Sequence, residues 1–80
     1  MLLCVDSDAA SREATAETLR DAGFAVAEAA TAGAARERFD DDLEGLVTEQ
    51  SLPDGTGLEL VADVREAVPD TPCVLFTDVP

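Results

Sequence analysis

Short apolar runs alternate with stretches of helical spacing along the whole chain, and this alternation narrows the fold more than any other feature. Met1 to Val5 is a continuous apolar run stopped by Asp6-Ser7-Asp8. Similar runs recur at Phe24 to Ala27, Leu43 to Thr48 and Cys73 to Thr77. Runs of this length, apolar without alternation, read as strands buried on both faces. Between them the period changes. From Ala9 to Ala22, small or apolar residues fall at Ser11, Ala14, Thr15, Thr18, Leu19 and Ala22, with Arg12, Glu13, Glu17, Arg20 and Asp21 outside that stripe. That is the pattern of an amphipathic helix, with Asp8 as its N-cap and Gly23 as its stop. Thr31 caps a second helix running to about Phe39, and Leu58 to Val68 returns to helical spacing before Pro69-Asp70-Thr71-Pro72 breaks it. Ser51 to Gly57, with Pro53, Asp54, Gly55 and Gly57, is dense turn chemistry.

The order is β-α-β-α-β-α-β with short connections. It predicts an α/β domain with a parallel sheet covered on both faces and right-handed crossovers. Eighty residues allow one domain.

Charge decides which partners are excluded. Eighteen acidic residues stand against five basic ones, all arginine, for a net charge of -13. Such a chain repels nucleic acid phosphates and anionic membrane surfaces, so neither is an expected partner. An acidic, lysine-free surface also suits a high-salt, halophilic cytoplasm, where self-repulsion is screened. No apolar run approaches the length of a membrane span and no signal peptide is visible, which makes the cytoplasm the default location. Histidine is absent, and Cys4 and Cys73 lie inside apolar runs, so both are expected to be buried free thiols.

In open parallel sheets, ligands bind beyond the carboxyl ends of the strands. The alternation places Asp6, Ser7 and Asp8 there after the first strand, Glu49 after the third, and Thr77 and Asp78 after the fourth. One acid at a strand end is commonly a helix cap. Convergence from three strands on one rim is what marks a candidate site, because carboxylates so gathered repel one another by a few kcal/mol per pair at an effective dielectric of about 20.

Three blocks carry a family resemblance. Leu2-Leu3-Cys4-Val5-Asp6-Ser7-Asp8, the stretch from Glu49-Gln50-Ser51-Leu52-Pro53-Asp54-Gly55-Thr56-Gly57 to Leu60, and Thr71-Pro72-Cys73-Val74-Leu75-Phe76-Thr77 together resemble the response-regulator receiver domain of two-component phosphorelay signalling. The likeness runs over 1–80 and corresponds to the N-terminal two-thirds of that domain. It implies a doubly wound, flavodoxin-like sheet in the order 2-1-3-4, truncated before the family's fifth strand. It also implies a non-enzymatic signalling module whose partners are proteins: a sensor histidine kinase, or an output domain in the same longer chain or another. In that order the third strand separates Cys4 from Cys73 by about 9.6 Å, twice the inter-strand spacing, which is too far for a disulfide. The fourth strand would be an exposed edge, prone to self-association.

Residue by residue, the resemblance exposes departures. The family holds Mg²⁺ with an acidic pair and the acceptor aspartate. Asp6 matches the first acid, but Ser7 stands in place of the second and Asp8 is displaced by one. Glu49 stands at the phospho-acceptor position, Thr77 matches the switch hydroxyl, and Asp78 replaces the small residue that usually follows. Asp6 and Glu49 could therefore hold at most a weak Mg²⁺ site, and the resemblance implies a pseudo-receiver that works without phosphorylation. A second likeness is to aspartate-nucleophile phosphohydrolases of the haloacid-dehalogenase type, whose first two motifs are similar to Asp6-Ser7-Asp8 and Val74-Leu75-Phe76-Thr77.

Overall fold

The computed structural model describes residues 1–77. Its elements are β1 (Leu2–Val5), α1 (Ala9–Asp21), β2 (Val26–Ala29), α2 (Ala32–Arg36), β3 (Gly45–Glu49), β4 (Ser51–Leu52), β5 (Gly55–Thr56), α3 (Gly57–Ala67) and β6 (Cys73–Phe76). Four of the strands form one parallel sheet in the order β2-β1-β3-β6, and β4 and β5 form a small antiparallel hairpin. The parallel α/β class and the expected 2-1-3-4 order are both realised, with β6 as the fourth strand of the main sheet.

The register sorts side chains onto two faces. Leu3, Ala27, Leu46 and Cys73 lie in one row, and Val5, Ala29, Thr48 and Leu75 in the next row on that face. Ala32 and Ala35 of α2 and Leu60 and Val64 of α3 pack there with Leu3, Val5, Leu43 and Leu46. α1 takes the other face, where Cys4 Sγ approaches the Arg12 carbonyl at 3.9 Å. There Arg12 and Arg20 both pair with Glu28 of β2, each at 3.3 Å.

The helix ends follow local chemistry. Asp8 caps α1 by accepting from the Ala10 and Ser11 amides. Thr31 caps α2 through Ala34. At Gly23, φ is 99°, a left-handed conformation that glycine adopts without strain. The Gly23 amide donates to the Arg20 carbonyl and the Phe24 amide to that of Leu19, the bond pair of a Schellman stop.

Three boundaries differ from the sequence expectation by two residues or more. The strand expected at Phe24 to Ala27 starts at Val26, because Phe24 belongs to the helix stop and is half exposed. α2 ends at Arg36 rather than near Phe39; Arg38 and Phe39 make only short three-residue bonds back to Ala35 and Arg36. β3 runs from Gly45 to Glu49 rather than from Leu43 to Thr48. A Cβ at Gly45 would lie 2.9 Å from Leu2 Cδ2, so glycine there reflects close packing of β3 on β1.

Both cysteines are free, Cys4 buried and Cys73 only partly so, two strands apart. Burial pushes the Cys4 thiol up to about 11, with Asp6 and Glu28 adding to the effect, so it stays protonated and unreactive. Among the described residues no helix is long and apolar enough to cross a membrane.

Candidate functional site

Asp6 follows β1 directly and is 1% exposed. One carboxylate oxygen accepts the Asp8 amide at 2.9 Å, and the other is buried without a hydrogen-bond partner among the described residues. Burial pushes the Asp6 carboxyl up. The Asp8 amide, the Ser11 hydroxyl, the Glu49 carboxyl and the nearby Arg12 guanidinium outweigh it and hold the group below the ordinary aspartate value. Arg12 also donates to the Asp6 carbonyl at 2.9 Å, fixing the strand end from the α1 side.

Glu49 is the last residue of β3, in register with Phe76 of β6. It is partly buried, and its carboxyl lies close enough to that of Asp6 to help lower the Asp6 value. Thr48 beneath it is fully buried, and its hydroxyl donates to the Glu49 carbonyl at 3.0 Å. The backbone beyond Glu49 is equally constrained. A Cβ on Gly57 would lie 2.4 Å from the Glu49 carbonyl oxygen and 2.5 Å from Leu75 Cδ1, so α3 begins against the end of β3.

The other expected residues divide. Ser7 is exposed, and Asp8 is committed to capping α1. Thr77 follows β6 at the same rim and is exposed. Asp78 lies outside the described residues. The structure thus brings Asp6 and Glu49 together and leaves Ser7 and Asp8 turned to other surroundings. These residues do not fit a magnesium ion held by three carboxylates. Two carboxyls converge, Ser7 is exposed and carries no charge, and no group of three or more acidic or thiol side chains that could hold a metal ion gathers among the described residues. Arg12 and Ser11 also shape the site. Sequence reasoning placed both only on the helix; their roles depend on contacts that periodicity does not encode.

The sequence matches the model of the response regulator receiver domain over residues 2–79. The chain belongs to the receiver domain family. Its solved structural neighbours agree with this. The non-phosphorylated HemR receiver domain of Leptospira biflexa aligns with TM-score 0.88 and 26% identity, over 95% of this chain and 62% of that one. Chemotaxis protein CheY4 of Vibrio cholerae gives 0.87 and 28%, over 99% and 68%. A CheY-like receiver domain protein of Methanospirillum hungatei gives 0.90 and 28%, over 99% and 64%. This receiver thus spans about two-thirds of the length of the solved chains it matches. No curated protein sequence matches it. The phosphohydrolase likeness finds no support in these comparisons.

Proposed function

We propose that residues 1–80 form the N-terminal two-thirds of a receiver fold that signals without taking a phosphoryl group at position 49. The module is not an enzyme. It works in the cytoplasm through contacts with proteins, either a sensor histidine kinase or an output domain, the latter in the same longer chain or in another protein. The observation that carries this reading is a glutamate, Glu49, half-buried at the end of β3 on the same rim as the buried Asp6, where the family resemblance calls for an aspartate. Phosphoryl transfer to a carboxylate depends on in-line positioning and on a cation to hold the incoming oxygens. Glutamate is about one C–C bond, roughly 1.5 Å, longer than aspartate. Ser7 supplies no charge to a cation, and the residue that follows Thr77 in the sequence is the acidic Asp78.

Incubation with acetyl phosphate and Mg²⁺, followed by intact-mass measurement, tests the reading. The wild-type chain is expected to gain no phosphate. The paired substitution Glu49→Asp with Ser7→Asp, in a chain supplied with the remaining family elements, is expected to recover some labelling. A phosphate mapped to Glu49 in the wild type sinks the proposal. Self-association is one such protein contact; the uncharged run Cys73–Phe76 at the sheet edge supports it. The acidic, lysine-free composition supports a salt-rich cytoplasm, which requires an unfolding midpoint that rises with NaCl more than with a neutral osmolyte.

A further inference from the structure

The β4–β5 hairpin follows Glu49 directly and is tied at both ends. At its base the Gln50 amide donates to the Phe76 carbonyl at 2.9 Å and the Gly57 amide to the Gln50 carbonyl at 2.9 Å. The Gln50 side-chain carbonyl also accepts the Leu58 amide at 3.0 Å, joining the base to α3. At the tip, Asp54 Oδ1 accepts the Ala32 amide at 2.7 Å and Oδ2 the Gly33 amide at 3.0 Å, more than 20 residues away in the chain. α2 is tied to α3 by Arg36 and Asp63 at 2.8 Å. These bonds close a ring: hairpin to α2, α2 to α3, α3 back to the hairpin.

Small residues leave room for the contact at the tip. A Cβ on Gly33 would press on Asp54 Oδ2 at 3.3 Å, and one on Gly55 would meet Ala32 Cβ at 3.6 Å. The Gly33 and Ala32 amides also hold the Asp54 carboxyl below its ordinary value, so it is ionised at neutral pH. Asp54 itself is exposed, and water stands ready to replace its partners. Hydrogen bonds of this kind govern local order more than global stability.

We propose that Asp54 is a latch that holds the hairpin after Glu49 against α2, and that releasing it lets residues 51–56 swing about Gln50 while the sheet stays folded. The surface formed by the hairpin, α2 and the start of α3 then has a latched and a released form. This inference stands whether or not position 49 accepts a phosphoryl group.

Amide hydrogen exchange followed by NMR on the whole chain at neutral pH tests it. In Asp54→Ala, the Ala32 and Gly33 amides are expected to exchange at least tenfold faster, residues 51–56 to accelerate with them, and Leu3 to Val5 to stay unchanged. Asp54→Asn keeps one acceptor oxygen and turns its own N–H₂ toward the other amide. It should therefore release one of the two amides and spare the other. Unchanged protection of Ala32 and Gly33 in Asp54→Ala overturns the latch. So does an equal acceleration in Leu3 to Val5, or failure of Asp54→Ala to fold, since either makes Asp54 a support of the whole fold.

Discussion

Leu2–Val5 and Cys73–Phe76 are four-residue strands of nearly the same chemistry, LLCV and CVLF, in opposite environments. β1 has a strand on each side and helices over both faces, and Leu3, Cys4 and Val5 are all 0% exposed. Among the described residues β6 has one neighbour in the sheet, β3. Val74 is 57% exposed and Leu75 42%. Sequence at this scale specifies that a segment is a strand; which strand becomes the core is decided by how many elements arrive to cover it. Burial of apolar area is then very unequal for equal side chains.

The sharpest way to break this contrast is truncation of one leucine on each strand. Leu3→Ala is expected to cost about 2–5 kcal/mol, a large share of the stability of a small domain. Leu75→Ala is expected to cost less than about 1 kcal/mol. Urea unfolding measures both, and equal losses would mean that β6 is covered in solution.

Acid probes the covered strand rather than the open one, because Asp6 directly follows β1 while β6 carries no carboxylate. Asp6 and Asp54 are both held below the ordinary aspartate value of 3.8. Their contribution is complete above that value and is lost as pH falls through their lower folded values, where unfolding takes up protons. The urea midpoint should therefore be lower at pH 3 than at pH 5, and Asp54→Asn should reduce the difference. A midpoint that rises on acidification would mean that relief of the -13 charge outweighs both groups.

The smallest expected effect on folding lies on the open strand. Val74→Lys should change monomer stability by about 0.5 kcal/mol or less while weakening the self-association proposed for this edge, read by light scattering, since a charge on an edge opposes pairing. Association unaltered by the lysine would move the contact away from β6.

The contrast also explains what the sequence made legible. Caps and stops were readable because each is set by one residue and its immediate neighbours: Asp8, Thr31 and Gly23 all act within a few positions. The start of β2 was misplaced because Phe24 has the apolarity of a strand residue but serves the Schellman turn, a backbone arrangement that hydropathy does not encode. At the site, Asp6 and Glu49 could be assigned to one rim from strand ends, and their pairing required the β1–β3 register. Asp54 reads as an ordinary turn residue, since its partners Ala32 and Gly33 reveal themselves only once the hairpin folds over α2.

The seat of Gly57 against the Glu49 carbonyl has a mechanical consequence. α3 is an 11-residue rod, about 16 Å long at 1.5 Å per residue, and its first residue bears directly on the end of β3. That contact is a fulcrum. A small tilt imposed there by a change in the backbone at Glu49 becomes a displacement several times larger at Ala67, the far end of the lever. A side chain at position 57 would hold the two apart and uncouple them.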